Sequence, residues 1–225
     1  MIEKLSKIIR DCSHYSKRQA DQIISEGRVL VNNKVVKELW ALSCPDDTIT
    51  IDGKILGPKP QESLIMLNKP RGYLTTKTDN YNRPTIYDLI TPKYQDFIYI
   101  GRLDYNSEGL LLMTNNAGLK YKLENSGNRF LRKYKVRGFG VFNKSQILLT
   151  KSITVENITY HIDYIKILTE HRMNNWFEVG IREGKNREIR NIFSHFGITV
   201  NKLIRIEFGQ YSLGNLALGA IKKIY

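Results

Sequence analysis

The stretch that decides the fold is Gly101-Arg102-Leu103-Asp104-Tyr105-Asn106-Ser107-Glu108-Gly109-Leu110, followed by an apolar run to Met113 and Thr114-Asn115. It places one carboxylate, Asp104, between an arginine and a Ser-Glu-Gly turn, and a strand pattern follows directly. An aspartate beside a glycine-bearing turn has a purely structural explanation, an Asx-turn. The alternative is that Asp104 is a nucleophile, and the rest of the sequence has to decide between the two.

A nucleophilic Asp104 needs companions that other segments must supply. A nearby cation would keep a partly buried carboxylate ionised, and an aromatic ring would give a base a surface to stack on. The candidate cations are Arg102, Lys185 and Arg187. The candidate aromatics are Tyr105 and Tyr134. Of these, Tyr134 lies inside the most basic block of the chain, between residues 120 and 144.

The charge balance indicates a polyanionic partner. At 225 residues, 41% of them hydrophobic, the chain is long enough for one good-sized domain and a small one. Its net charge is +13. Such a balance fits nucleic acid or an anionic membrane. No apolar run approaches the roughly 18 residues of a membrane span, and residues 1–5 lack the apolar core of a signal peptide. Nucleic acid is therefore the predicted partner, with no membrane.

The cysteines and histidines give no sign of a metal site or a disulfide framework. Cys12 and Cys44 form no CxxC pair, which indicates a reducing, cytoplasmic compartment. The histidines show no ligand spacing and are interpreted as ordinary polar residues; they are His14, His161, His171 and His195. We predict that the protein needs no metal.

The first 57 residues predict a small module of two helices and short strands. Residues 3–10 have helical apolar spacing. Ser16 is the predicted N-cap of a second helix over 17–25, which Gly27 ends. Residues 28–31, 34–36 and 48–53 alternate like strands. The motif formed by residues 16–20, Ile23-Ile24 and residues 27–32 resembles the S4 RNA-binding domain. That resemblance implies that Lys17, Arg18 and Arg28 meet phosphates, whereas the alternative is a helical cap with solvated lysines.

Residues 58–62 are the predicted linker, because two prolines in three positions hold the backbone extended. Twelve of the thirteen net positive charges lie after residue 57. From residue 63 to residue 225, strands outnumber helices. The strands include 64–68, 133–136, 147–149 and 176–181, and the main helix covers 186–196. We therefore expect an α+β fold, with a small S4-like α/β module followed by a mixed, mainly antiparallel sheet flanked by helices.

Four ordered segments resemble pseudouridine synthases of the RsuA/RluB type. Residues 101–115 are similar to the catalytic motif of that family, and residues 67–72 to its first motif. Residues 133–136 resemble the segment that supplies the active-site tyrosine. Residues 183–190, Glu-Gly-Lys-Asn-Arg-Glu-Ile-Arg, resemble its Glu-Gly-Arg/Lys-Asn-Arg-Gln-Val/Ile-Arg motif. A leading S4-like module is also typical of the family.

The resemblance implies isomerisation of a specific uridine to pseudouridine in ribosomal RNA, without cofactor or metal. Asp104 would be the nucleophile, at C1′ of the ribose or C6 of the uracil. Tyr134 would stack on the extruded base, and Lys185 would pair with Asp104. Arg102 would enter the RNA where the base had been, and Ile189 would form a pocket wall. The implied RNA contacts, beyond those of the S4-like module, are Lys69, Arg71, Arg187 and Arg190. Arg205 could bind RNA or lie on the surface, and the sequence leaves both open.

Three departures from the family pattern concern RNA contacts rather than catalysis. Glu188 stands where glutamine is usual, and Asn191 where a second basic residue is common. Residues 125–131 lack the usual prolines. The partner is expected to be ribosomal RNA or a ribosomal subunit precursor, and the protein a monomer. The competing hypothesis is a non-catalytic S4-type RNA-binding or ribosome-assembly factor, which would have no need of a carboxylate facing phosphates.

Overall fold

The computed structural model describes residues 2–13, 15–59, 61–125 and 130–225. The chain forms two compact units, Met1–Glu62 with Asn115–Ala117, and Ser63–Thr114 with Gly118–Tyr225. The predicted linker at 58–62 stays a prediction, and Pro60 lies outside the described residues. So do His14 and most of the segment said to lack prolines, residues 126–129.

The smaller unit contains the two predicted helices and a four-stranded antiparallel sheet. The helices are α1 Leu5–Cys12 and α2 Lys17–Ser25. The strands are β1 Glu3–Lys4, β2 Val29–Val31, β3 Lys34–Val36, β4 Leu42–Ser43, β5 Ile49–Ile51 and β6 Lys54–Ile55. The sheet has the order β3-β2-β5-β6, and β1 pairs separately with β4.

The local signals in this unit are confirmed. Ser16 caps α2 in a capping box, because its hydroxyl accepts from Gln19 N at 3.2 Å and the Gln19 side chain accepts from Ser16 N at 2.9 Å. Gly27 ends the helix at a φ of +73°, a conformation that glycine adopts without strain. Apolar side chains of both helices and of β2 and β5 then form one core.

The larger unit is built on one nine-stranded sheet. Its strands are β7 Leu64–Lys69, β8 Ile98–Ile100, β9 Glu108–Thr114, β10 Arg132–Phe139, β13 Tyr164–Ile167, β14 Asn174–Ile181, β15 Thr199–Phe208, β16 Tyr211–Ser212 and β17 Ile221–Lys223. The order is β13-β14-β10-β15-β9-β7-β17, with β16 on β15 and β8 on β9. All pairs are antiparallel except β15 with β9. The predicted mixed, mainly antiparallel α+β fold is confirmed.

Helices and a small hairpin accompany this sheet. They are α3 Ala117–Glu124, α4 Lys144–Leu149, α5 Glu188–His195 and the pair β11 Ser152–Val155 with β12 Ile158–His161. The predicted strand over 147–149 is wrong. These residues end α4, which Asn143 caps by accepting from Gln146 N at 3.0 Å. A short apolar run fits a strand and a buried helix turn equally well, and here the cap decides.

The core of the sheet positions α5. Ile189, Ile192 and Phe193 of this helix are buried in one cluster with side chains of β10 and β14. This apolar face holds the start of α5 and the loop before it beside the first residues of β10. The most strongly charged segment of the family-like motif, residues 183–190, thereby reaches the same edge as Tyr134.

Candidate active site

A single open pocket of about 1210 Å³ in the larger unit brings three of the four motif segments together. Its walls come from the loop before β9, from β10, from the loop between β14 and α5, and from β15. The predicted site residues that line it are Arg102, Asp104, Tyr134, Lys185, Arg187 and Ile189. The family resemblance implies that these residues share one site, and the fold brings them to one cavity.

One row across the sheet carries the centre of the site. The strand register aligns Lys69 of β7 with Gly109 of β9, Gly109 with Arg205 of β15, and Arg205 with Tyr134 of β10. Gly109 has a φ of +104°, and a Cβ atom there would lie 2.3 Å from the Arg205 carbonyl oxygen. Only glycine permits this close approach of β9 and β15. The turn that carries Asp104 immediately precedes this row.

The Asp104 backbone is held by buried groups, while its side chain is exposed to the pocket. The Asp104 carbonyl accepts from Ser107 N at 3.0 Å, which closes the turn. It also accepts from Lys69 Nζ at 3.1 Å. On the other side, Thr75 Oγ1 donates to the Leu103 carbonyl at 2.7 Å. The carboxylate is therefore presented to solvent from a fixed backbone.

Lys69 is not the RNA contact that the resemblance implies. Its side chain is fully buried and also donates to the Ser107 carbonyl at 2.9 Å and the Pro70 carbonyl at 3.1 Å. Burial lowers the pKa of Lys69 to about 8, although Asp104 and Glu108 act in the opposite direction. The ammonium thus stabilises the Asp104 turn through hydrogen bonds to its carbonyl groups. A short motif marks such a lysine, but only the fold shows which way it points.

Tyr134 lies at the floor of the pocket and is largely buried. Arg205 of β15 lies directly opposite Tyr134 in the strand register. Arg205 Nε donates to the Leu110 carbonyl at 2.8 Å, and burial lowers the pKa of this arginine. For Arg205, the sequence leaves open an RNA contact or a surface position, and the structure shows neither. It links the proposed stacking ring to strand β9.

The predicted pair between Lys185 and Asp104 is wrong in this structure. Lys185 Nζ lies 2.6 Å from Glu183 Oε2 and donates to the Thr159 carbonyl. Glu183 is only two residues away on the same loop, so it meets the ammonium at little cost in chain ordering. Lys185 lines the pocket, but among the described residues no ion pair is formed by Asp104.

Arg190, like Lys69, lies close enough to Asp104 for the carboxylate to act on its pKa. Burial lowers the pKa of Arg190, as do Arg187 and Arg71, and the negative charge of Asp104 raises it. Its Nη2 donates to the Asn106 carbonyl at 3.1 Å and its Nη1 to the Val200 carbonyl at 2.9 Å. The implied role as an RNA contact is therefore corrected, because the guanidinium is half-buried and ties α5 and β15 to the Asp104 turn.

Glu188 is a buried carboxyl at the first turn of α5. Its Oε2 accepts from Lys185 N at 3.0 Å, and its Oε1 has no hydrogen-bond partner among the described residues. Burial raises the pKa of Glu188 to about 7, and Glu183 adds to this shift, whereas Lys185 and Arg132 oppose it. The residue that departs from the family pattern is thus a titratable group in the pocket wall, next to Ile189, which is buried as the predicted wall.

The remaining predicted RNA contacts fall into two classes. The side chains without a hydrogen bond or ion pair in the described ranges are exposed; they are Lys17, Arg18, Arg71, Arg102 and Arg187. Arg28 is different, because its guanidinium binds Asp52 through two bonds of 2.9 and 2.6 Å and also contacts Glu26 at 3.1 Å. These two carboxylates compensate its charge, and its implied phosphate contact stays a prediction.

Two further properties bear on the kind of site this is. Within the described part of the chain, no three His, Cys, Asp or Glu side chains come together in a way that would hold a metal ion. None of the helices in those same residues has the length and apolar character that crossing a bilayer requires.

Comparisons with known proteins agree with this geometry. A family model described as RNA pseudouridylate synthase matches residues 63–195, and an S4 domain model matches residues 13–42. A Rickettsia felis protein named as an uncharacterized RNA pseudouridine synthase is 40% identical, over 99% of this chain and 97% of its own. A Yersinia pestis protein named ribosomal large subunit pseudouridine synthase B is 34% identical, over 95% of this chain and 69% of its own.

The fold is shared with a solved pseudouridylate synthase structure. The TM-score is 0.67 at 22% identity, with 99% of this chain and 96% of the other chain covered. The family resemblance drawn from the four motifs and the S4-like module is confirmed, and so is the enzyme class. The chain belongs to the RNA pseudouridylate synthase family and combines its catalytic domain with an S4 domain.

Proposed function

We propose that this enzyme converts a uridine of ribosomal RNA to pseudouridine with Asp104 as the nucleophile. The observation that carries the proposal is the exposed Asp104 carboxylate on a turn clamped by buried Lys69, in one pocket with Tyr134. The relatives named for the large ribosomal subunit support RNA of that subunit as the substrate.

The reaction exchanges one bond to the ribose for another. Asp104 forms a bond to C1′ of the ribose or to C6 of the uracil, and the N1–C1′ bond breaks. The uracil turns within the pocket, and C5 bonds to C1′ as the bond to Asp104 is released. The proton on C5 is lost and N1 gains one, so the product is an isomer of the substrate. Tyr134 stacks on the base and assists removal of the C5 proton.

The target nucleotide must leave its stack before Asp104 can reach it. Extrusion from a duplex costs on the order of a few kcal/mol. Arg102, exposed at the pocket, fills the space that the base vacates. Arg71 and Arg187 are exposed cations of the same unit and bind the flanking phosphates. Lys185 lines the pocket as an ion pair with Glu183, and Ile189 forms the apolar wall.

The S4 domain adds an RNA contact outside the pocket. We propose residues 1–57 as this RNA-binding domain, 58–62 as the linker and 63–225 as the catalytic domain. Lys17 and Arg18, both exposed at the start of α2, bind phosphate. The enzyme acts as a monomer in the cytoplasm, on free ribosomal RNA or on a subunit precursor.

The test compares wild type with Asp104→Asn and maps pseudouridine in ribosomal RNA by carbodiimide-stop primer extension. The amide keeps the shape of the side chain but is a far poorer nucleophile, so we expect no modification at all. Asp96→Asn is the matched control, because Asp96 is an exposed aspartate of the same unit whose one ion pair, to Lys77, is 3.9 Å long. This control should modify RNA at the wild-type rate.

Identical modification maps for wild type and Asp104→Asn would disprove the nucleophile assignment. If wild type bound ribosomal RNA tightly but modified no uridine in it, the non-catalytic RNA-binding or assembly factor would be favoured. Modification confined to the RNA of the small subunit would contradict the proposed substrate while leaving the chemistry intact.

A further inference from the structure

The sheet of the larger unit has a second face that the pocket does not use. On β10, Tyr134, Val136 and Gly138 point inward, while Lys135, Arg137 and Phe139 alternate with them and are exposed. The outward side chains of β13, β14, β10 and β15 form what we call the outer face. They include Lys135, Arg137, Phe139, Lys166, Trp176 and Lys202. Of these, Trp176 and Lys202 are partly buried and the other four are exposed.

The strand register places an indole among the cations of the outer face. Arg137 is directly opposite Trp176 of β14 on one side and opposite Lys202 of β15 on the other. Lys135 Nζ lies 5.4 Å from the centre of the Trp176 ring. Trp176 is therefore next to two cations of β10, Arg137 and Lys135. Trp176 is partly buried, and an indole that keeps part of its surface exposed among cations offers a ring on which a base can stack.

The carboxylates of this face neutralise only part of its charge. Glu178 lies 3.8 Å from Lys166, and Glu108 lies 3.2 Å from Lys202. Lys135 and Arg137 have no carboxylate within ion-pair distance among the described residues. The two cations nearest to Trp176 are thus the ones left unpaired.

We infer that the outer face is a second RNA-binding surface, on which a single-stranded segment beyond the target uridine binds. Lys135 and Arg137 contact its phosphates, and Trp176 stacks on a base, with Phe139 (41% exposed) as a second ring. Charge complementarity selects RNA as the occupant, because the chain has a net charge of +13 and an RNA substrate. The inference depends on that substrate class but not on Asp104.

The two faces belong to the same strands, which makes them separable by mutation. Tyr134 and Arg205 line the pocket from one side of β10 and β15, whereas Arg137 and Lys202 leave the other side. An RNA that extends past the pocket can contact both. A stem-loop that ends at the pocket cannot reach the outer face, because the thickness of the sheet separates them.

The experiment uses the fluorescence of Trp176 as a direct readout. The chain has two tryptophans, so Trp40→Phe leaves Trp176 as the sole tryptophan, which is excited at wavelengths where tyrosine does not absorb. We expect a 20-nucleotide oligouridylate to quench this emission in a saturable, salt-dependent way. Adding Lys135→Ala and Arg137→Ala should weaken the binding at least fivefold. The slope of log K against log salt should fall by about 1.4, because each phosphate that a cation neutralises on a single strand contributes roughly 0.7.

The matched control is Lys222→Ala with Lys223→Ala, which removes two exposed cations from β17 in the same unit. This control should keep the oligouridylate affinity. Both double variants should modify a minimal stem-loop at the wild-type rate, while the outer-face variant alone should lose activity on long RNA. If the stem-loop were not modified even by wild type, the proposed function would fail, while the quenching result would stand by itself.

Three results would overturn the inference. The first is an absence of quenching by oligouridylate. The second is an equal loss of affinity in the two double variants. The third is quenching by polyglutamate at least as strong as by oligouridylate, which would assign the face to an acidic protein.

Discussion

At the scale of single residues, buried charges define the site. Lys69, Arg205 and Arg190 are cations that the sequence offers as RNA contacts, or leaves undecided, yet each donates to backbone carbonyls of the Asp104 region or of the adjoining strands. A buried ion without partners is costly, and several carbonyl acceptors offset that cost. These cations consequently hold backbone in place, and the exposed arginines stay the proposed RNA contacts.

Arg190 and Lys185 should differ sharply when each is replaced by glutamine. Arg190→Gln loses the bonds to the Asn106 and Val200 carbonyls, so the Asp104 turn shifts, and a shift near 1 Å can reduce the rate about 100-fold. Lys185→Gln leaves the turn untouched and should reduce kcat less than tenfold. Single-turnover rates on one stem-loop measure both. Equal kcat losses, or a larger loss for Lys185→Gln, would contradict the assignment of Arg190.

Glu188 should make folding stability depend on pH. Its folded-state pKa of about 7 lies above the ordinary 4.5, so between these values the native state binds more protons than the unfolded state. Stability is therefore lost as pH rises from about 4.5 to 7. In total the loss is on the order of 3 kcal/mol, at about 1.4 kcal/mol per pH unit.

Glu188→Gln is the test of that dependence, because the amide oxygen still accepts from Lys185 N and cannot ionise. Urea unfolding at pH 5 and pH 8 should show the variant gaining on wild type as pH rises. Parallel pH profiles for the two proteins would show that the carboxyl does not titrate in this range.

At the scale of elements, the parallel pair β15–β9 decides the geometry of the site. It joins the motif strand to the strand that carries Arg205, and Gly109 permits the close approach. The apolar face of α5 then places the loop over residues 183–187 at the same edge. Both features depend on backbone packing between segments that are distant from each other in the chain.

Gly109→Ala should be severely destabilising. Its Cβ would meet the Arg205 carbonyl oxygen at 2.3 Å, and a φ of +104° is strained for alanine. We expect a loss of roughly 3 kcal/mol or more, measured by urea denaturation. Gly184→Ala is the control, because its φ is not in the strained region and its Cβ would meet Arg132 only at 3.9 Å. Equal stability of the two variants would refute the close-approach argument.

At the scale of the whole molecule, we propose that both units bind RNA. The S4 domain presents Lys17 and Arg18 free of partners in the described ranges, whereas Arg28 is already neutralised by Asp52 and Glu26. The net charge of residues 1–57 is only +1, so the affinity of this domain must come from a local cluster.

Lys17→Ala with Arg18→Ala should weaken binding of ribosomal RNA. The salt slope should fall by between about one and two, because each cation that binds a phosphate contributes about one. Arg28→Ala should change the affinity and slope much less, because its charge is already compensated. Filter binding at several salt concentrations compares the two. A larger effect from Arg28→Ala would mean that the RNA displaces its carboxylate partners.

Local patterns are sufficient for the elements and the family. The capping box at Ser16, the glycine after α2 and the alternation along β10 each act over a few residues, so the sequence alone predicts them. Four motifs in order likewise identify the catalytic domain. The predicted strand over 147–149 is wrong because so short an apolar run has no decisive period, and only the Asn143 cap distinguishes it.

The partners of each charge are what only the tertiary structure decided. The sequence by itself determined which cations stand near Asp104 along the motifs, and that Tyr134 and Ile189 accompany it in one pocket. Whether a lysine or arginine points to water or to buried carbonyls depends on strand register and on contacts between distant segments. The row Lys69–Gly109–Arg205–Tyr134 is the clearest case, because its four members come from four strands and meet only when the sheet has formed.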